Sequence, residues 1–173
     1  WADEGLVALL ENENSKFWRS AALGLSAPWL DRNPDLVRAL IDSLSDKDPL
    51  LRATAVRMTE NLLANQGLPQ QLREGLEQTL TALLKDPVRA VRIDAAWVLR
   101  RSLPAASDAS RELNDYLLYN CDQPTGALQF GVFHLDRQQQ PGNLAKAIGW
   151  MEKAVDWDPN SPYLHQSLAI AYS

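Results

Sequence analysis

Arginine recurs in this chain inside a fixed setting. Leu10-Glu11-Asn12-Glu13-Asn14-Ser15 leads to Arg19, Leu44-Ser45-Asp46-Lys47-Asp48-Pro49 leads to Arg52, and Leu84-Lys85-Asp86-Pro87-Val88 leads to Arg92. The three arginines stand 33 and 40 residues apart, and a period in that range means stacked helical hairpins rather than a closed globule. Apolar spacing agrees. Leu36, Val37, Leu40, Ile41 and Leu44 follow a helical period, as do Leu72, Leu76, Leu80, Leu83 and Leu84, and then Val88, Val91, Ala95, Val98 and Leu99. Between these runs lie Asp31-Arg32-Asn33-Pro34, Asp46-Lys47-Asp48-Pro49, Gly67-Leu68-Pro69 and Asp86-Pro87. Each places proline in a loop or a first helical turn, where its missing N–H costs nothing. Helix pairs are expected over about 3–11/15–27, 34–45/49–65 and 69–84/88–103.

This pattern resembles HEAT repeats, marked by an Asp-x-x-Pro or Asp-Pro loop, then Val-Arg, then small residues. Asp86-Pro87 with Val91-Arg92 and Ala95-Ala96 fits, and so does Asp48-Pro49 with Leu51-Arg52 and Ala55. The first copy is degenerate, with Asn14 at the acidic position and Trp18 at the aliphatic one. Trp18, Trp97 and Trp150 are expected to pack between helices.

Pro104-Ala105-Ala106-Ser107 marks a boundary, and Ser107-Asp108 is an N-cap signal for a connecting helix carrying Leu113, Tyr116 and Leu117. A different repeat follows. Ala147, Met151, Ala154 and Asp158-Pro159-Asn160 resemble the second helix and exit turn of a tetratricopeptide repeat, and Leu128, Phe130-Gly131 and His134 resemble its first helix. Leu168-Ala169-Ile170-Ala171-Tyr172 reads as the opening of a second such repeat, so the chain reads as a piece of a longer protein. The organisation expected is three HEAT-like pairs over 1–104, a connecting helix over 105–123 and tetratricopeptide repeats over 124–173. The fold class is all-α: a right-handed α-α superhelix, or alpha solenoid, of stacked antiparallel helix pairs.

Composition narrows the function. The net charge of −5 argues against a nucleic-acid partner, which needs a basic stripe. No apolar run approaches the ~20 residues of a membrane helix. The single cysteine, Cys121, excludes an intramolecular disulfide and any multi-cysteine metal site. The only two histidines, His134 and His165, stand apart from other ligand types at metal-binding spacing, and packing is the reading for both. No Gly-rich phosphate loop, Gly-x-Ser-x-Gly, His-Glu-x-x-His or Cys-x-x-Cys-His occurs. The expectation is a non-catalytic scaffold, with no cofactor in this fragment, that holds a peptide or protein segment or another domain of its own chain.

In tetratricopeptide repeats the first helix of each pair lines the groove. That resemblance implicates Thr125, Leu128, Val132 and Leu135 in the first unit, and Tyr163, Gln166 and Ile170 in the second. Some of these could instead pack on the 108–120 helix. Arg89, Arg92 and Arg100 lie within about 80° on a helical wheel and form a secondary basic face, to be weighed against an ordinary solvated one. Arg19, Arg52 and Arg92 are expected to pair with loop aspartates of their own or adjoining repeats. The order of HEAT-like pairs, the Tyr116 to Asn120-Cys121-Asp122-Gln123-Pro124 joint and tetratricopeptide repeats also resembles the C-terminal region of bacterial multi-haem c-type cytochromes. This second resemblance implies a periplasmic parent engaged in electron transfer, its haems bound outside this fragment; without it the parent reads as cytoplasmic.

Overall fold

The computed structural model describes residues 2–173, and among them there are ten α-helices and no strand. They are α1 Ala2–Asn12, α2 Lys16–Leu25, α3 Pro34–Ser43, α4 Pro49–Ala64, α5 Gln70–Leu83, α6 Arg89–Val98, α7 Asp108–Tyr119, α8 Pro124–Leu135, α9 Asn143–Trp157 and α10 Pro162–Tyr172. The chain is therefore all-α. It divides into two compact units, one ending at Leu99 and one beginning at Arg100.

Local chemistry sets the helix starts. Asn33 Oδ1 accepts from the N–H groups of Asp35 and Leu36, Asp48 Oδ1 from Leu50 N–H, and Ser107 Oγ from Ser110 N–H. Each satisfies a donor that the first helical turn leaves without a partner. Pro34, Pro49, Pro124 and Pro162 open their helices at positions whose N–H would have had no partner. Gly142, at φ +80°, turns the chain into α9 through a left-handed conformation that favours glycine.

In the first unit α1 packs on α2, α3 on α4 and α5 on α6, while α2, α4 and α6 pack in succession. Leu23, Leu36, Leu40, Leu51, Val56, Leu80 and Val91 are fully enclosed, and Ala22, Ala55 and Ala95 let the helices approach closely. Polar side chains tie the α2–α4–α6 layer together. Ser20 Oγ and Thr54 Oγ1 are 2.8 Å apart, Arg57 donates to Thr54 Oγ1 and to Asp94 Oδ2 (2.6 Å), and Trp97 Nε1 donates to Glu60 at 3.3 Å.

In the second unit α8 lies along α9, α9 along α10, and α7 against α8. Its core holds Ala127, Leu128, Met151, Ala154, Leu164 and Ala171, with Val132, Leu135, Ile148, Val155 and Leu168 packed around them. A Cβ on Gly131 would come within 2.7 Å of Met151 Cγ and 3.1 Å of the Ala147 carbonyl oxygen, so glycine sets the α8–α9 spacing.

Three expectations need correction. The helix expected to run to residue 103 ends at Val98, because Leu99 leaves helical geometry (φ −86°, ψ 3°) and Arg100 and Arg101 both turn to Asp136. The helix expected to run to residue 27 ends at Leu25, and Ala27–Trp29 forms a separate 3-10 turn containing Pro28. Trp18 is 57% exposed rather than packed between helices; its ring meets Phe17 edge-on at 5.1 Å, and Phe17 is itself exposed.

Candidate functional site

The repeated arginines prove to be fasteners. Arg52 Nε and Nη2 grip both oxygens of Asp86 at 2.8 and 3.0 Å, while Nη1 donates to the carbonyls of Asp46 and Lys47. Arg19 does the same more weakly: Nη1 reaches Asp46 Oδ2 at 3.4 Å and Nε donates to the Leu10 carbonyl. Arg92 Nη1 donates to the carbonyls of Asp86 and Pro87. Arg52 and Arg92 thus tie down loop carbonyls and Arg19 a carbonyl in the last turn of α1, and Arg19 and Arg52 also clamp the acid of the next loop.

That acid has a second duty. Asp46 accepts from Asp48 N–H and Asp86 from Val88 N–H, each at 2.8 Å. In the first copy Glu13 accepts from Ser15 N–H at 2.7 Å, so Glu13, not Asn14, occupies the acidic position. Glu13, Asp46 and Asp86 each precede their arginine by six residues. Burial pushes the Asp86 carboxyl up, but the hydrogen bond from Arg52, the Val88 N–H and the positive charge of Arg52 outweigh it. The net result is a pKa below the ordinary 3.8.

The basic face does not assemble as read from the helical wheel. Arg100 is only 8% exposed and its Nε lies 2.5 Å from Asp136 Oδ2, so its charge is spent internally. Arg92 is half-buried against its loop carbonyls, and Arg89 is exposed. A three-residue wheel could not reveal that Asp136, 36 residues further on, would draw Arg100 inward.

The groove strip is partly corrected as well. Leu128 is 5% exposed and belongs to the α8–α9–α10 core, where Val132 and Leu135 also pack. The physical reason is that α9 runs along α8 and α10 also reaches it, so that this face joins the core the three helices share. Thr125 is exposed at the start of α8. On α10 the strip is open: Tyr163 is 67% and Ile170 59% exposed, and Gln166 lies exposed between them on the same face.

Leu135 and Ile170 do come together in a concavity of about 710 Å³, shared with Leu144, Tyr172, Arg101 and Asp136. It is formed by the end of α8, the start of α9 and the end of α10. Arg101 lies at its edge, with Nε and Nη2 on Asp136 Oδ1 at 2.9 and 2.6 Å. Tyr172 Oη donates to Glu152 at 2.5 Å, which raises the phenol's pKa. The lining is thus mixed: apolar side chains to supply area, and Arg101 sharing Asp136 with the buried Arg100, so that the group keeps one net positive charge. Arg101 was not among the residues read from the sequence, and its place depends on the unpredicted end of α6.

The other singled-out groups have structural partners. His165 Nε2 lies 2.8 Å from the Pro159 carbonyl and fastens the exit turn to α10. Cys121 is buried, its Sγ 2.9 Å from the Leu118 carbonyl. Among the described residues, no helix is long and apolar enough to cross a membrane. No family model, curated protein or solved structure matches the chain. The HEAT, tetratricopeptide and multi-haem cytochrome resemblances therefore rest on the residues quoted for them.

Proposed function

We propose that the chain is a non-catalytic repeat scaffold for protein-protein or domain-domain contact, each of its units a segment of a right-handed α-α superhelix. The observation that carries this reading is the concavity bounded by Leu135, Leu144, Ile170 and Tyr172, with Tyr163 exposed further back on the α10 face that bears Ile170. Large apolar side chains exposed together at a concavity, here interspersed with polar ones, suit an interaction site, and tyrosine is favoured among residues that dominate binding energy. The polar side chains of the first unit, by contrast, are engaged in joining one helix pair to the next. The partner is a protein segment that inserts an aliphatic or aromatic anchor, from another molecule or from another domain of the same chain. Apolar contacts carry most of the affinity, and the one net positive charge of the Arg100–Arg101–Asp136 cluster at the edge mainly tunes the on-rate.

Site-specific photo-crosslinking tests this. A benzophenone side chain at position 163 or 170 should trap a defined partner or domain, whereas the same group at exposed Gln78 on α5 should not. Equal labelling at all three positions, or labelling at position 78 alone, would place the working surface elsewhere.

A further inference from the structure

A second opening in the C-terminal unit has different chemistry. It is a cavity of about 280 Å³ formed by α7, the end of α8 and the start of α9, lined by Ser110, Asn114, Phe133, His134, Arg137 and Asn143 among others. Arg137 is only 6% exposed. Its Nη1 donates to Ser110 Oγ at 2.8 Å and its Nη2 to the Leu103 carbonyl at 3.2 Å, and the guanidinium lies 5.0 Å from the centre of the Phe133 ring. All of these partners are neutral. Among the described residues no carboxylate lies within ion-pairing distance of it.

The comparison with the other enclosed arginines is direct. Arg52 holds Asp86 and Arg100 holds Asp136. Arg137 is as deeply placed as either and has no such partner. A buried charge without a counter-charge is costly, and here burial already lowers the guanidinium's pKa. An anion entering the cavity would remove that cost.

Beside it stands a second unmatched group. His134 is 7% exposed, and its Nδ1 is a buried side-chain nitrogen with no hydrogen-bond partner. The ring is held between Phe130 and Phe133, at centroid distances of 4.7 and 5.4 Å. Burial, then the positive charges of Lys146 and Arg137, push its pKa below 6.5, and the nearby Asn143 side chain, as a hydrogen-bonding group that does not reach bonding geometry at Nδ1, opposes them. The shift favours the neutral imidazole, which presents one N–H. A buried polar atom left without a partner in a cavity calls for a ligand or an ordered ion.

We infer that this cavity binds a small oxyanion, a carboxylate or a phosphate, with Arg137 and His134 as its donors. A guanidinium fork matches two oxygens of such a group, and charge-assisted bonds of this type are the strong ones. The cavity volume lies at the small end of ligand sites, which run from about 300 Å³ upward. It suits an anion of a few heavy atoms rather than a nucleotide. Arg111 at the wall is already paired with Asp108, and Asp115 is the acidic group that lines the cavity and opposes entry.

The chain's two histidines make the test direct. The imidazole nitrogens of the full chain are followed by NMR at pH 7 while sodium acetate or sodium phosphate replaces chloride at constant ionic strength. A saturable shift of the His134 resonances, with His165 unmoved, is expected for at least one anion, and the tighter of the two identifies the source chemistry. Arg137→Gln should abolish that shift. If Arg137→Gln does not fold, Asp115→Asn decides: at this exposed position the loss of a like charge should tighten binding about two-fold or more. The proposal is overturned if neither anion gives a saturable shift at His134. It is equally overturned if folded Arg137→Gln still binds, or if Asp115→Asn leaves the affinity unchanged.

Discussion

Arg52→Met isolates the fastening of one repeat to the next. Methionine keeps the apolar stem and removes four hydrogen bonds, two to Asp86 and one each to the Asp46 and Lys47 carbonyls. The side chains of Arg52 and Asp86 are 13% and 5% exposed, so the variant leaves a largely buried carboxylate supported by one hydrogen bond, from the Val88 N–H, and by the charge of Arg92. Breaking one partner of a buried pair costs about 3–5 kcal/mol. Arg19→Met removes the equivalent residue, but there the contact is a single 3.4 Å approach between side chains 27% and 20% exposed. Its ion pair contributes roughly 0.2–1 kcal/mol, and its bond to the Leu10 carbonyl about 1 kcal/mol. Urea unfolding should therefore show Arg52→Met destabilised by about 1–4 kcal/mol more than Arg19→Met. The pH dependence has a fixed sign. Asp86 is held below its ordinary 3.8 in the folded wild type, so its stabilisation is present above pH 3.8 and is lost as pH falls through the folded value. Without Arg52 only the Val88 N–H and the charge of Arg92 oppose burial, so the Asp86 carboxyl titrates higher than in the wild type and acid costs the variant less. The gap between wild type and Arg52→Met should shrink as pH drops from 7 towards 3. Equal losses for the two arginine variants, or a gap that widens in acid, would refute the fastening account.

Other perturbations test particular contacts. Gly126→Ala should destabilise the second unit severely, since the added carbon would fall on the Asn120 carbonyl with its carbon at 2.8 Å; Gly75→Ala, which meets nothing within 4 Å in the middle of α5, should instead gain about 0.5–1 kcal/mol. Circular dichroism melts of the two variants should move in opposite directions. Ala154→Leu overfills the fully enclosed α9 seam and should cost about 1–3 kcal/mol in chemical denaturation. Leu128→Asp puts a charge in the same core and should unfold the second unit, detected as lost helical signal at pH 7.

The helix pattern was legible because its signals are local. Pro34, Pro49, Asn33, Asp48 and Ser107 announce helix starts through contacts two or three residues away. The repeated arginines were legible as structural because the acid, the loop and the arginine recur together. Sequence failed where a choice depended on distant packing. α8 is apolar on nearly every side, with Ala127, Leu128, Phe130, Val132, Phe133 and Leu135, so its period does not single out the face that joins the core shared with α9 and α10. Arg100 looked like a surface cation because Asp136, just past the end of α8, lies 36 residues further along the chain. Glu13 was passed over because its longer side chain reaches Ser15 N–H from the residue before the expected one. The unmatched Arg137 and His134 could not be foreseen, because neighbours 24 and 27 residues away (Ser110 seen from His134 and from Arg137) enclose them only after α7 folds against α8.

The docking reading turns on the open face of α10, and one double substitution addresses it. Tyr163→Asp with Ile170→Asp changes two side chains that are more than half exposed, so the melting temperature should stay close to that of the wild type. The account predicts that this folded variant loses capture of the partner trapped by crosslinking at those positions. A variant that folds and still binds that partner with wild-type affinity would contradict it.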